Sequence, residues 1–253
     1  MTDMAMFPLG SVLFPYMPLP LRVFEERYLV MLSELLPADS AEFGVVLIER
    51  GQEVGGGEQR FGYGTVAQIL QLEAADGFVA LLAQGDRRIE ITQWLDEAPY
   101  PRAKVREIEN LTWDASLEPL RATAEHTVRR ALAVASEFAD QQWAANVELS
   151  DDPAAAIWQL AAIAPLGPLD QVALLHSTSA FELLTRVIAL TEAAEADFSA
   201  GFSDDWADDD DIGGGASGGG GGSGDGGGGG GSGGGEGGNG GGDNRGDSGS
   251  DGR

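Results

Sequence analysis

Residues 4–28 read MAMFPLGSVLFPYMPLPLRVFEERY, and this stretch contains four prolines. Proline has no backbone N–H and fixes φ, so these prolines exclude a helix here and also a strand in the middle of a sheet. We therefore predict edge strands and bends for this stretch. The first helix is predicted to follow from about Phe24 and to end at Pro37, because apolar residues recur at helical spacing up to Leu36.

Beyond this helix the apolar residues follow a pattern typical of strands. Runs rich in Val, Ile, Leu, Thr and aromatic residues are separated by glycines, and Asp76-Gly77 lies between two of them, as in a tight hairpin turn. This half of the chain is interpreted as a compact, mostly antiparallel β-barrel. The predicted strands cover residues 43–50, 62–73, 77–84, 87–95 and 102–108.

From Leu117 onward the sequence becomes helical and rich in alanine. Its first helix has apolar residues at helical spacing up to Ala135. A second helix is predicted from Asp152-Pro153 to about Ala164, since Asp is a good N-cap and Pro is tolerated at the first helical position. Two more are predicted over 170–176 and from Ser179 to about Ala196, where Ser179 and Glu182 form a capping-box pattern.

The last part of the chain has a composition that does not support a packed core. Of the 38 glycines, 27 lie from residue 201 onward. So little apolar surface cannot offset the entropy of ordering the chain, and we predict a disordered, flexible tail over residues 198–253. The spacing of its acidic residues does not fit an EF-hand loop.

Charge restricts the partners. The net charge is -26, and residues 199–253 carry eleven acidic residues against two arginines, so the remainder of the chain still carries -17. A surface of this sign repels phosphate groups, which argues against binding nucleic acid or an anionic membrane surface. We therefore expect neither as a partner.

The order and spacing of these motifs resemble the N-terminal substrate-binding domain of Lon protease, and also bacterial stand-alone versions of that domain. The likeness covers residues 4–108, and a weaker likeness continues through Asp151-Asp152-Pro153-Ala154 and Leu160-Ala161. The segments that carry it are Phe7-Pro8-Leu9, Val12-Leu13-Phe14-Pro15, Pro18-Leu19-Pro20-Leu21, Phe24-Glu25, Arg27-Tyr28, Phe43-Gly44-Val45-Val46-Leu47, Gly55-Gly56-Gly57, Gly62-Tyr63-Gly64-Thr65-Val66-Ala67, Gly85-Asp86-Arg87-Arg88-Ile89 and Pro99-Tyr100-Pro101-Arg102-Ala103.

This resemblance implies an α+β fold. It predicts a PUA-like, mostly antiparallel β pseudobarrel with an N-terminal helix over residues 4–110, followed by a C-terminal helical lobe over 111–197. Together, residues 4–197 would form one Lon N-terminal-type domain, followed by the disordered acidic, glycine-rich tail.

The inventory of reactive residues argues against an enzyme. A complete Lon protease needs an AAA+ ATPase with a Gly-x-x-x-x-Gly-Lys-Ser/Thr loop and a serine–lysine peptidase, and the sequence has neither; its one lysine is Lys104. His126 and His176 are interpreted as surface or helix-end residues. Cysteine is absent, which excludes disulfides and zinc–thiolate sites. We expect no catalytic residue, no metal and no cofactor, and a cytoplasmic location in the absence of a signal or membrane-spanning pattern.

The remaining hypothesis is a binding module. The resemblance implies a non-catalytic domain that recognises unfolded or exposed polypeptide segments, in protein quality control or as an adaptor for an ATP-dependent protease or chaperone. Two alternatives stay open: a general protein-interaction domain, and a small-molecule sensor that uses the cleft between the two lobes.

Two sets of residues are candidates for contact with such partners. The first is the apolar, proline-interrupted segment of Phe14, Pro15, Tyr16, Met17 and Pro18, whose bend would expose Tyr16 and Met17 to a peptide. The alternative for this segment is packing in the barrel core. Arg27, Arg87 and Arg88 match family positions, and they would either serve binding or tie the lobes together through buried carboxylates.

The second candidate set lies where the helices meet the tail. Phe198, Phe202 and Trp206 recur every four residues beside a run of aspartates, so on a helix they would form an aromatic stripe that docks a basic, grooved partner. Gly201 interrupts the stripe and lowers helix propensity. The alternative is that Phe198 and Phe202 pack back onto the helical lobe while Trp206 marks the end of the ordered chain.

Overall fold

The computed structural model describes residues 1–37, 41–50 and 59–205. Its strands are β1 (Thr2–Leu9), β2 (Pro18–Val23), β3 (Glu42–Arg50), β4 (Gln59–Ala75), β5 (Phe78–Trp94) and β6 (Arg102–Glu107). Its helices are α1 (Glu26–Leu35), α2 (Glu118–Ala135), α3 (Pro153–Ile163), α4 (Pro168–Leu175) and α5 (Ala180–Asp205), with a short 3-10 turn at Ala115–Leu117.

The six strands form one sheet in the order β2-β5-β4-β3-β1-β6, and β5 also pairs with β6. This last pairing closes five strands into a ring, with β2 attached outside it along β5. All the described pairings are antiparallel except that of β1 with β3. The predicted mostly antiparallel sheet is confirmed.

The prolines of the opening stretch occupy two different kinds of strand. Pro18 and Pro20 lie on β2, which is an edge strand as predicted. Pro8 lies on β1, between β3 and β6, so the prediction that this stretch contains no internal strand was wrong. The strand tolerates Pro8 because it changes partner along its length: Thr2 to Ala5 pair with β6, whereas Met6 to Leu9 pair with β3 alone.

A second difference concerns Gly85, which was expected to separate two strands. It lies inside the long strand β5 and pairs with Ala67. A Cβ atom at this position would lie 2.1 Å from the carbonyl oxygen of Phe14, so the glycine allows the N-terminal segment to cross directly over the strand. The predicted turn at Asp76-Gly77 is confirmed, with Gly77 at φ 83°.

Two clusters of buried side chains hold these elements together. The smaller cluster joins β1, β3, β4, β5 and β6, and includes Met6, Val46 and Ile89. The larger one joins the strands to α1 and to the later helices, and within it the rings of Phe7 and Tyr28 stack at 4.0 Å. Aromatic and aliphatic burial of this kind is the main stabilising term in folding.

The helices begin close to the residues that the sequence predicts. Asp152 caps α3 by accepting a hydrogen bond from the Ala154 N–H (3.1 Å), and the Ser179 hydroxyl oxygen accepts one from the Glu182 N–H (3.1 Å). Helix α5 continues past Ala196 and through Gly201 to Asp205, so its predicted end was wrong.

Strands and helices lie in one unit that extends from Met1 to Asp210, so the predicted division near residue 110 stays a prediction. Trp206 and the tail predictions beyond it lie outside the described residues. Within the described part of the chain, no helix is both long and apolar enough to cross a membrane.

Candidate functional site

The predicted peptide-binding segment lies mostly inside the fold. Phe14 is 1% exposed and Met17 is 7% exposed, and both belong to the larger core cluster. Pro15 is buried as well. Tyr16 is half-buried and Pro18 is exposed. The expectation that Met17 is exposed was therefore wrong, because its side chain is needed to fill the core, and only Tyr16 and Pro18 reach the surface.

The bend in this segment is fixed by hydrogen bonds to β4 and β5. The Tyr16 N–H donates to the Gly85 carbonyl (2.7 Å), and the Gly85 N–H donates to the Met17 carbonyl (2.9 Å). The buried Thr65 hydroxyl donates to the Leu13 carbonyl (2.6 Å). Tyr16 has φ 64°, a conformation that costs a non-glycine residue about 1 kcal/mol or more. The surrounding contacts thus hold a strained turn in one position.

Beside this turn lies a groove between the N-terminal segment and the helices. It consists of two cavities of about 300 Å³ and 290 Å³ that share Gln142, Trp143, Ala162 and Gln171. We call the pair the apolar groove. Its remaining walls are mainly aliphatic and aromatic side chains, among them Val12, Leu13, Leu19, Leu132, Leu166 and Phe198.

The apolar groove brings together parts of both candidate sets. Phe14, Met17 and Pro18 line one end of the groove, and Phe198 lines the other. Phe198 is half-buried there. Phe202 lies on α5, but its side chain and the whole of Trp206 are outside the described residues. Docking of a partner at this stripe therefore stays a prediction.

The groove is uncharged, although the chain carries a net charge of -26. Among the described residues that line its two cavities, the polar side chains are those of Ser11 and three glutamines, Gln141, Gln142 and Gln171. A concave, uncharged surface of aliphatic, aromatic and amide side chains suits an uncharged segment of another molecule. The groove residues of 142–171 were missed by the sequence analysis, since no local pattern marks which helical residues face an open groove.

A separate cavity of about 470 Å³, which is not part of the groove, lies between the strands and the end of α4. We call it the arginine pocket, after Arg88. The lining residues are Tyr63, Arg88, Glu90, Arg106, Glu107, Ile108, Glu109, His176, Ser177 and Thr178. Its lining includes charged side chains, which the lining of the groove does not.

Arg88 and its neighbour Arg87 have different surroundings. Arg87 is half-buried and donates to the carboxylates of Glu42 (2.7 Å), Glu107 (2.7 Å) and Asp86 (2.8 Å), and these bonds raise its pKa. Arg88 bonds to backbone carbonyls instead, so the expectation that it uses buried carboxylates was wrong. Burial lowers the pKa of Arg88.

Arg27, the third family-matched arginine, donates to Glu25 (3.0 Å), and its guanidinium lies 4.5 Å from the ring centroid of Tyr28. These contacts stay within the start of α1, so the described structure places Arg27 away from both cavities. It supports the helix and is not brought into either site.

His176 follows α4 and lies at the mouth of the arginine pocket, with its ring centroid 3.7 Å from that of Tyr63. Desolvation lowers the pKa of His176 from its ordinary value of 6.5, and the charges of Arg186 and Arg88 lower it further, against an opposing effect of Glu90. The helix-end position agrees with the sequence interpretation. His126 lies exposed on α2.

The lowered pKa makes a prediction about pH. Below about pH 6.5 the unfolded chain binds more protons at His176 than the folded chain does, so this residue's contribution to stability falls as the pH drops through that window. We expect an NMR titration of His176 to have its midpoint below 6.5, and Arg186→Gln to raise that midpoint. A midpoint at or above 6.5 in the unsubstituted protein would contradict the assignment.

A metal site would require histidine, cysteine or carboxylate side chains grouped together among the described residues. Over residues 1–37, 41–50 and 59–205, no group of three or more histidine and carboxylate side chains is placed to hold a metal ion. Lys104 lies half-buried on β6, beside Asp3 of β1 in the sheet register. The lining is uncharged in the groove and charged in the arginine pocket.

Comparison with known proteins gives a consistent result. The family model for the "ATP-dependent protease La (LON) substrate-binding domain" matches residues 3–193. Lon protease 2 of Herpetosiphon aurantiacus is 29% identical over 196 residues, which is 75% of this chain and 23% of that protein. Lon protease of Escherichia coli K12 is 26% identical over 193 residues, which is 76% of this chain and 25% of that protein. The chain thus spans about a quarter of these relatives.

Two solved structures share the fold. The Lon N-terminal domain protein from Xanthomonas campestris matches with a TM-score of 0.55 and 24% identity, over 75% of this chain and 98% of that one. The N-terminal domain of the Mycobacterium avium complex Lon protease matches with a TM-score of 0.54 and 17% identity, over 76% and 98% respectively. At these identities the likeness shows the fold alone.

Proposed function

The chain belongs to the family of the Lon substrate-binding domain, and from this we propose that it is a non-catalytic module that binds unfolded or exposed polypeptide segments. The family suggests polypeptide recognition in general. The more specific proposal is a role in protein quality control, as an adaptor for an ATP-dependent protease or chaperone. It rests on the match of the substrate-binding family model to residues 3–193.

The apolar groove is the observation that carries this proposal. Half-buried Tyr16 and exposed Pro18 lie on or beside one wall, half-buried Trp143 lies between its two cavities, and Phe198 lies at its far end. Apolar surface that stays accessible in a folded protein is typical of an interaction site. Because the groove lining is uncharged, it selects for apolar segments, which unfolded chains expose and folded ones bury.

The recognition proposed here uses side chains and not the addition of a strand. The Met17 carbonyl points toward β5, where it accepts a hydrogen bond from the Gly85 N–H. Because the direction of the backbone N–H and C=O groups alternates along a strand, those of Leu19 and Leu21 also point toward β5. Pro18 and Pro20 therefore face the open edge of β2, where they offer no N–H to a peptide strand. An extended peptide has a better fit in the groove than on this edge.

A charge placed in the groove tests the proposal. Ala162 lines both cavities, so Ala162→Glu puts a carboxylate where an apolar segment would bind. Because position 162 is only half-buried, the carboxylate can still reach solvent when no segment is bound. We expect the affinity for an uncharged, fluorescein-labelled peptide rich in Leu and Phe to fall by about tenfold, because the bound peptide would desolvate the carboxylate. Fluorescence anisotropy with the full chain measures this.

Ala122→Glu is the matched control. Ala122 is exposed on α2 and lines neither cavity, and its replacement changes the net charge by the same amount. We expect this variant to bind the peptide as the unsubstituted protein does. Equal losses in both variants would show an effect of net charge alone, and equal affinities in all three proteins would rule out the groove as the peptide site.

A further inference from the structure

Arg88 carries a buried positive charge that has no carboxylate partner among the described residues. Its side chain is 2% exposed. It donates to the backbone carbonyls of Leu175 (2.6 Å), Ser177 (2.7 Å) and Glu109 (2.8 Å), and its guanidinium carbon lies 4.9 Å from the ring centroid of Trp158. Buried charges are normally paired with an opposite charge, and carbonyl dipoles replace only part of that effect.

Two buried polar side-chain atoms of residues that line this pocket have no hydrogen-bond partner among the described residues. One is Nε of Arg88 and the other is Oγ of Ser177, which is 0% exposed. Both residues line the arginine pocket. Since most buried donors in folded proteins are bonded, two unused donors beside one cavity indicate that a ligand atom completes the set.

The carboxylates around the arginine pocket are largely occupied by other arginines. Glu90 forms an ion pair with Arg106, and Glu107 forms one with Arg87 (2.7 Å). This leaves Glu109, which is exposed and gives its carbonyl to Arg88. The lining thus holds two arginines and three glutamates, and its unused buried donors among the described residues are Arg88 Nε and Ser177 Oγ.

The electrostatic effect on His176 has the same sign. Its two main charged neighbours are Arg186 and Arg88, and both act against a positive charge on its ring. Desolvation is the largest cause of the lowered pKa of His176, and Glu90 acts against it. Arg186 is itself paired with Glu182 (2.8 Å), whereas Arg88 has no carboxylate partner among the described residues.

We propose that the arginine pocket binds a small carboxylate, held by Arg88 Nε and Ser177 Oγ, and that this site is separate from the apolar groove. A single carboxylate fits the donors, whereas a dianion such as phosphate meets repulsion from the three glutamates of the lining. Both donor atoms are covered from solvent in this structure, so binding requires side chains of the pocket lining to shift. The carboxylate belongs to a free small molecule or to the C-terminus of a polypeptide.

The two histidines of the chain allow a direct test by NMR. Acetate is added to the full protein in place of chloride at constant ionic strength, and the imidazole signals of His176 and His126 are followed. We expect saturable shifts at His176 and none at His126, which lies on α2 and does not line the pocket. Short acetylated peptides with a free or an amidated C-terminus are then compared with acetate.

Two variants that each remove one buried, unpartnered hydroxyl provide the control. Ser177→Ala removes the proposed donor, whereas Thr191→Val removes a hydroxyl on α5 that lies outside the pocket. We expect Ser177→Ala to weaken the binding of acetate by about tenfold and Thr191→Val to leave it unchanged, because a hydrogen bond to a charged group is lost only in the first. Neither hydroxyl has a bonding partner, so both variants should fold.

The outcomes separate the two sources of the carboxylate from a wrong assignment. Tighter binding of the free-acid peptide than of acetate, lost on amidation, identifies a polypeptide C-terminus; equal affinities identify a small molecule. The proposal is wrong if no carboxylate shifts His176, if both histidines shift alike, or if Ser177→Ala binds acetate as Thr191→Val does. None of these results depends on whether the apolar groove binds peptides.

Discussion

Replacing Arg88 with alanine should lower the free energy of unfolding by about 4 kcal/mol, since each hydrogen bond from a charged group to a buried carbonyl contributes about 1.5 kcal/mol or more. The guanidinium joins β5 to the carbonyl of Leu175 at the end of α4, to that of Ser177 just after it, and to that of Glu109 after β6. Without the guanidinium, these three carbonyl oxygens have no hydrogen-bond donor, and a void remains beside Trp158. Thermal unfolding should show the melting temperature falling by about 10 °C.

Two further variants separate geometry from charge at this position. Arg88→Lys keeps the charge, but an ammonium group lacks the planar fork that reaches three carbonyls at once. We therefore expect Arg88→Lys to lose most of the unfolding free energy that Arg88→Ala loses. Arg106→Ala removes an exposed arginine from the same pocket and should cost at most about 1 kcal/mol. If Arg88→Lys were as stable as the unsubstituted protein, charge alone would explain the role of Arg88, and the three-carbonyl clamp would not be the cause.

Replacing Gly85 with alanine should be nearly as disruptive, with a loss of about 3 kcal/mol of unfolding free energy. The new Cβ would lie 2.1 Å from the Phe14 carbonyl oxygen, and a backbone atom cannot rotate away as a side chain can. The segment would have to move off β5, which breaks the bonds of Gly85 with Tyr16 and Met17. Thermal unfolding again measures the loss.

Gly62→Ala is the control for this variant. Gly62 is exposed on β4, and apart from Gly62 and its two chain neighbours no described residue has an atom within 4 Å of the position that its Cβ would take. Because alanine restricts the unfolded chain, this change should be neutral or stabilising by up to about 1 kcal/mol. A Gly85→Ala variant as stable as Gly62→Ala would mean that the N-terminal segment does not cross β5 as closely as described.

The local signals in the sequence predicted the elements well and their pairing less well. The Asp76-Gly77 turn, the Asp152 cap and the prolines of β2 each fix structure through their own backbone chemistry, and the structure confirms all three. Pro8 and Gly85 were misinterpreted because their roles depend on a neighbour far along the chain. Proline is tolerated when one side of its strand is unpaired, and glycine inside a strand can mark a crossing.

The candidate site was predictable only in part. The sequence singled out the Phe14–Pro18 segment and Phe198, and the structure places members of both along one groove. It did not reveal Trp143, Ala162 or Gln171. Their position in the groove depends on how each side chain is oriented relative to a distant part of the chain that forms the opposite wall. For Arg88 the sequence left two roles open, and the carbonyl partners could not be inferred from side-chain types at all.

A protein that binds unfolded chains can promote their aggregation. A bound segment rich in β-forming residues can pair with an unpaired edge strand, and further copies can then add to it. The strand that borders the groove is β2, and its outward positions are occupied by Pro18 and Pro20. Neither can donate the hydrogen bond with which cross-β growth would begin. Under the proposed function, the same two residues that line the groove would keep a bound polypeptide from pairing with this edge and seeding aggregation.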